Sequence, residues 1–190
     1  MAGYIWLGML AVLFFYGVVI YNGLVGLKHA VAQAWSNVDV LLKQRHDELP
    51  KLVEACRQYM QFERDTLERV MQARSAAATA RERGDVRGVG QAEGQMRLGL
   101  GSLLATVEAY PDLKANQSLQ TLVARITGLE NSISDRREFY NEAVNRNNVR
   151  IEQFPDALVA RLMAFGPREL LMFHEDEKKD VDLRALFAAR

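Results

Sequence analysis

The first 27 residues contain no Asp, Glu, Lys or Arg, and this uncharged run limits what the chain can form. From Gly3 to Ile20 it reads GYIWLGMLAVLFFYGVVI. About 20 apolar residues in a helix cross the hydrocarbon core of a bilayer, where a continuous helix satisfies its own backbone hydrogen bonds. Residues 1–27 are therefore predicted to form a transmembrane anchor. The residues assigned to the span include Gly3, Trp6, Phe14, Phe15 and Ile20.

Two alternatives explain an apolar N-terminus without a membrane span. A cleaved signal peptide needs a basic start and a shorter apolar stretch of roughly 7–15 residues. No Lys or Arg precedes this run. The second alternative is a core helix of a soluble domain, and the sequence favours a membrane span over both.

The basic residues near the span indicate its orientation. Lys28, Lys43 and Arg45 all lie on its C-terminal side. The positive-inside rule then places the N-terminus outside and the following domain in the cytoplasm. A periplasmic domain stays open as the alternative.

Helical periodicity continues beyond the anchor, and no segment shows the alternation typical of a strand. Val31, Trp35, Val38 and Leu42 extend the first helix in steps of three or four. Pro50 is expected to end or kink that helix near Leu49, because proline lacks an amide donor and crowds the preceding turn. A second helix is predicted as far as Gly84.

Later segments predict three more helices. A loop is expected at 82–88, followed by a glycine-rich helix ending at Ala109, whose glycines either allow close helix contact or weaken the helix. A long helix is expected over 116–153 and a short one over 156–165. The long helix carries apolar residues in alternating steps of three and four, a pattern typical of coiled-coil-like packing. This stripe, called the seam below, comprises Leu119, Leu122, Ile126, Leu129 and Ile133.

Amphipathic helices joined by short turns bury their apolar stripes by packing side by side. The sequence therefore predicts an all-α fold: an N-terminal transmembrane helix followed by a bundle of three to four helices. The predicted organisation is an anchor at 1–27, a bundle at 28–165 and a C-terminal tail at 166–190.

Composition argues against several kinds of function. The formal net charge is zero, so the basic surface of a nucleic-acid-binding domain is missing. A single cysteine, Cys56, allows no internal disulfide and no cysteine-based zinc site. His29, His46 and His174 are scattered without metal-ligand spacing. We expect no cofactor, no metal site and no enzymatic activity.

Several polar residues fall on or beside the apolar stripes. They are Asp39, Arg45, Glu130, Asn131, Arg136, Tyr140 and Asn141. Arg136 continues the seam, where a charge is costly unless it is paired. We predict that Arg136 pairs with a carboxylate of the first or second helix, for example Asp39 or Glu63. These residues fix helix register inside the bundle or, as the alternative, contact another protomer or partner.

Small residues recur every four positions just after the span, at Gly26, Ala30 and Ala34. Helix backbones approach closely where side chains are small. This stripe predicts a contact between copies of the chain, with packing inside one chain as an equal alternative.

Three blocks of sequence resemble the LemA family. The first block supplies Tyr21-Asn22, Leu24-Val25, Ala34-Trp35-Ser36, Asp39-Val40, Leu42-Lys43, Arg45, Pro50 and Leu52-Val53-Glu54. The second supplies Glu108 and Tyr110 to Asn116, and the third supplies Glu130-Asn131, Ile133, Arg136-Arg137, Tyr140-Asn141, Val144 and Phe154-Pro155. Phe62, Glu48 and Asn147 depart from the family pattern, which usually has histidine, a hydrophobic residue and often an aromatic residue at these positions.

The resemblance implies a single-pass protein of the bacterial inner membrane with a long antiparallel bundle. It implies links with membrane organisation, membrane-bound proteases and magnetosome membranes, and no catalytic residues. We expect a membrane-anchored scaffold or adaptor that binds other membrane proteins or its own copies as a homo-oligomer. The alternative is a lipid- or curvature-sensing protein that uses helix 156–165 or the tail as a second membrane contact.

Overall fold

The computed structural model describes residues 2–57 and 64–173, which form six α-helices and no β-strand within those ranges. The helices are α1 Ala2–Arg57, α2 Arg64–Glu82, α3 Val86–Ala109, α4 Pro111–Ala115, α5 Gln117–Glu152 and α6 Asp156–Leu162. The all-α fold predicted from periodicity is confirmed.

The chain divides into two compact units. Of the described residues, the first unit comprises 2–44 and 129–170, and the second comprises 45–57, 64–128 and 171–173. The long helices α1 and α5 each contribute to both units.

In the first unit, α1 and α5 run antiparallel. The Trp35 ring meets the Tyr140 ring edge-on with centroids 5.3 Å apart. His29, six residues before Trp35 in α1, lines the same cavity as Asn147, which lies seven residues after Tyr140 in α5. Residue numbers therefore rise along one helix as they fall along the other.

Helix α6 packs on α1 in the same unit. Ile20, Leu24 and Ala160 form a small buried cluster, against which Ile151, Val159 and Phe165 pack. Tyr21 adds an edge-to-face contact with Phe165, at 5.9 Å between centroids.

The second unit contains the larger core. Its helices meet along residues of 2% exposure or less from α1 to α5: Leu49, Leu52, Cys56, Val70, Ala77, Met96, Leu100, Leu103, Leu113, Leu119 and Ile126. Burying one such leucine or isoleucine contributes roughly 1.5–3 kcal/mol, so this core is a principal source of stability.

A short turn joins α2 to α3. Gly84 adopts a φ of 66°, the left-handed conformation that glycine reaches without strain. Asp85 then caps α3, its Oδ1 accepting a hydrogen bond from the Gly88 amide at 2.8 Å. The turn is shorter than the predicted loop at 82–88 because α3 already begins at Val86.

The glycines of α3 allow close packing. A Cβ added at Gly99 would lie 2.9 Å from Val70 Cγ2 on α2. A Cβ added at Gly90 would overlap the backbone of Met172. Of the two explanations left open by the sequence, close contact therefore applies at these positions.

Of the two expectations for Pro50, the end of the helix is wrong, because α1 runs on to Arg57, and the kink stays a prediction. Proline cannot donate to the carbonyl four residues earlier, which belongs to His46. In the structure Arg74 Nε of α2 donates to that oxygen at 2.8 Å. A side chain from a neighbouring helix thus replaces the missing backbone hydrogen bond.

We expect Arg74→Met to destabilise the protein by about 1–3 kcal/mol, because it leaves the His46 carbonyl without a donor. In a Pro50→Ala background residue 50 regains its amide, so the same Arg74 change should cost less by at least about 0.5 kcal/mol. Unfolding of the wild type, the two single variants and the double variant in detergent measures this coupling. If Arg74→Met is equally destabilising in both backgrounds, the Arg74 side chain does not replace the hydrogen bond that the missing amide of Pro50 would make.

Candidate membrane and interaction surfaces

The apolar start of α1 is exposed rather than packed. From Gly3 to Val19 only Gly17 is even half-buried, and Leu10 and Phe14 are 61% and 68% exposed. Exposed apolar area of this extent marks a surface for lipid or for another protein. Helix α1 is long and apolar enough to cross a membrane, and this part of it is not a core helix of the chain.

A buried ion pair joins α1 to α3. Arg45 and Glu93 are 1% and 2% exposed, and their side chains are in direct contact. Glu93 lies on the apolar stripe of α3, four residues after Val89 and three before Met96. A carboxylate on an apolar stripe indicates a buried charge that needs a partner, and the sequence analysis did not single out Glu93 on this ground.

A second buried carboxylate lies close to this pair in sequence. Glu48 is buried and makes ion pairs with Lys51 at 3.2 Å and Arg125 at 3.4 Å. It replaces the hydrophobic residue usual in the family pattern, and the structure supplies it with two cations.

Tyr140 links α5 to the segment that follows α6. The side chain is 3% exposed, and its hydroxyl donates to the Glu169 carbonyl at 2.9 Å. Burial raises the pKa of Tyr140 to about 12, so the hydroxyl can donate even above the ordinary tyrosine pKa. Asn148 holds the same segment by donating to the Arg168 carbonyl at 2.9 Å and accepting from its amide at 2.8 Å.

Asn147, which also departs from the family pattern, is buried beside this contact. It is 3% exposed, and its Nδ2 donates to Asn148 Oδ1 at 3.1 Å. It therefore supports the side chain that holds Arg168.

The expectation that Arg136 is buried on the seam is wrong. Arg136 is exposed, and its guanidinium lies 5.8 Å from the centre of the Phe139 ring. The buried positions of α5 step by seven from Ile126 through Ile133 to Tyr140, which turns Arg136 towards solvent. Its other suggested partner, Glu63, lies outside the described residues.

The remaining polar candidates are spread along the helices. Asp39, Glu130 and Asn141 are half-buried, and each takes part in an interaction within the structure. Asn131 is exposed. The structure therefore places Asp39, Glu130 and Asn141 on packing edges and Asn131 at the surface.

The small-residue stripe faces outward in its first half. Gly26 and Ala30 are exposed, whereas Ala34 is half-buried. A Cβ added at Gly26 would meet no atom within 4 Å. The contact between copies of the chain stays a prediction.

His, Cys, Asp and Glu side chains are the groups that could bind a metal ion or act as nucleophiles. Within 2–57 and 64–173, no three His, Cys, Asp or Glu side chains lie close enough to hold a metal ion. Burial raises the pKa of the Cys56 thiol to about 11, so at neutral pH it is a protonated core residue. Burial, followed by the charge of Arg74, lowers the pKa of His46.

The fold and these surfaces define an all-α protein whose apolar N-terminal helix continues into a bundle core. Residues 34–184 match the model of the LemA family. Because this match covers most of the chain, the protein belongs to the LemA family.

Magnetosome proteins are among its relatives. Magnetosome proteins MamQ 1 and MamQ 2 of Paramagnetospirillum magneticum are each 31% identical over 78 residues, which is 41% of this chain and 29% of theirs. Magnetosome protein MamQ of Magnetospirillum gryphiswaldense is 27% identical over 92 residues, 48% of this chain and 33% of the relative. The aligned region covers at most 33% of the length of these relatives.

Proposed function

We propose that this chain is a membrane-anchored helical adaptor, whose bundle holds partner proteins or further copies of the chain at a membrane surface. The observation that carries the proposal is the two-part character of α1. Its residues from Gly3 to Val19 expose apolar side chains, whereas Val38, Leu42 and Leu49 of the same helix are buried. The N-terminal part of α1 therefore has the surface of a lipid-exposed helix, and the C-terminal part has the surface of a helix packed in a core.

The proposed mechanism is localisation. An anchor confines the bundle to a membrane surface and raises the effective concentration of anything that it binds there. By the positive-inside rule we place the bundle in the cytoplasm of a bacterial cell. Membrane organisation and membrane-protease complexes, which the family resemblance implies, are the settings we propose.

Anchoring is tested by alkaline extraction of membranes that contain the full chain. We expect the wild type to stay in the pellet. Leu10→Arg with Phe14→Arg should release the chain, since each arginine at the centre of a span costs about 2.5–3.5 kcal/mol on insertion scales. Leu98→Arg is the matched control, because Leu98 is an exposed residue of α3 outside the span. Release of the wild type by alkali would contradict the anchor.

The adaptor role is tested by crosslinking the intact protein in its membrane. We expect adducts with other membrane proteins or with a second copy. If copies are joined, Ala30→Leu, which adds bulk to the exposed small-residue stripe, should reduce the dimer band. Recovery of the chain only as an uncrosslinked monomer, with anchoring intact, would overturn the adaptor role.

A further inference from the structure

Helix α6 lies at the end of the apolar part of α1. Residues 3–19 are exposed except for half-buried Gly17, and Ile20 is the first buried residue after them. Ala160 of α6 covers Ile20 and Leu24. The 17 residues from Gly3 to Val19 extend about 26 Å at 1.5 Å per residue, close to the ~30 Å thickness of a hydrocarbon core. In an anchored chain, α6 is therefore placed at the edge of the hydrocarbon.

The side of α6 turned away from α1 is apolar and uncovered. Leu158 and Leu162 are 60% and 79% exposed, and they share one side of the helix because they are four residues apart. Phe154, in the turn before α6, is 83% exposed, and Met163, just after it, is 51% exposed. This set, called the α6 face below, adds apolar surface beside the exposed span.

Basic groups lie next to the α6 face. Lys28, His29 and Arg168 line a cavity of 380 Å³ together with Tyr21 and Phe165. Lys28 is the first charged residue after the span, eight residues beyond Ile20 and so about 12 Å further along the axis. Its flexible side chain and the Tyr21 ring are groups that favour the headgroup region, and the Phe165 ring adds apolar surface beside them.

The acidic groups nearby leave a basic excess at this place. Asp156 is buried and pairs with Arg150 Nε at 3.1 Å. Glu152 and Glu169 are exposed, against the exposed cations Lys28, Arg161 and Arg168. The charge pattern therefore complements phosphate groups of lipid better than it complements a basic partner.

We propose that the α6 face is a second membrane contact, in which Phe154, Leu158 and Leu162 insert among the lipids beside the span while Lys28 and Arg168 meet lipid phosphates. The bilayer is the occupant because the face continues the surface of the span and begins where the span ends. This inference rests on the proposed anchoring by α1. It assigns to α6 the interfacial position of an amphipathic helix, with its apolar side in the boundary and its cations in the headgroups.

Spin labels on single introduced cysteines in the full chain, reconstituted in phosphatidylcholine–phosphatidylglycerol vesicles, test the proposal. Leu162→Cys samples the α6 face, Leu7→Cys the span and Leu98→Cys the exposed side of α3. The native thiol of Cys56 is fully buried, and the unmodified protein shows whether it takes up label. Collision with oxygen and with a water-soluble nickel complex is measured at each label.

At Leu162→Cys we expect high access to oxygen and about fivefold lower access to nickel than at Leu98→Cys, because interfacial helices bury their apolar side roughly 5–10 Å deep. Nickel access equal to that of Leu98→Cys, with Leu7→Cys in lipid, would overturn the membrane contact and leave the anchor intact. Low access to both reagents would place the face against protein and also overturn it. Nickel access at Leu7→Cys would instead overturn the anchor.

Discussion

Replacing Arg45 with methionine is expected to destabilise the folded protein by about 3–5 kcal/mol, the usual effect of removing one partner from a buried ion pair. The Glu93 carboxylate would stay in the core, where it is 2% exposed, without the cation that compensates its burial. For a chain of this size the expected fall in Tm is roughly 6–20 °C. Thermal unfolding of the intact protein in detergent measures it.

The exposed pair on α5 supplies the control. Arg146 and Glu142 form an ion pair at 2.5 Å, with side chains 69% and 52% exposed. Arg146→Met should therefore cost no more than about 0.5 kcal/mol. An Arg45→Met variant as stable as Arg146→Met would show that Arg45 and Glu93 do not compensate one another in the core.

The double variant separates stability from pairing. Arg45→Met with Glu93→Met removes both charges and leaves apolar side chains of similar length, so much of the lost stability should return. What the pair adds, on this view, is register: Arg45 of α1 meets a carboxylate only when Glu93 of α3 lies opposite. We expect the double variant to fold with a broader unfolding transition than the wild type.

Apart from the short helix α4, the helices were predictable because each signal for them is local. Apolar steps of three and four describe α3 and α5, and the end of α2 is marked by Gly84, a residue suited to its left-handed φ. The apolar start of α1 was equally plain. Periodicity, helix ends and an apolar run all depend on residues that are neighbours in the sequence.

The failures concern partners distant in sequence. Pro50 did not end α1, because the donor that replaces its amide is Arg74, 24 positions later along the chain. A buried charge does need a partner, but Arg136 is not buried, because the buried positions of α5 step by seven from Ile133 to Tyr140 and leave it exposed. Arg45 was recognised as lying near a stripe, yet its partner Glu93 is 48 positions away. Only packing determines which cation meets which carboxylate.

Replacing Gly90 with alanine is expected to destabilise the protein although alanine favours a helix. The added Cβ would overlap the Met172 backbone, and a backbone cannot move aside as a flexible side chain can. The segment around Met172 is itself fixed, with Leu171 and Phe173 at 0% and 5% exposure. Overpacking costs about 1–3 kcal/mol, and releasing the two apolar side chains would add roughly 1.5–3 kcal/mol each.

Gly101→Ala makes the same chemical change in the same helix without the contact. A Cβ there meets nothing within 4 Å, so this variant should gain about 1 kcal/mol from helix propensity alone. Thermal unfolding and limited proteolysis near residue 172 distinguish the two: Gly90→Ala should lower the Tm and expose the segment, whereas Gly101→Ala should raise the Tm. If both variants gain stability, the segment does not pack on α3, and the buried state of Leu171 and Phe173 needs another partner. The opposite signs would show that Gly90 is required for the approach of another stretch of backbone, which helix propensity alone does not predict.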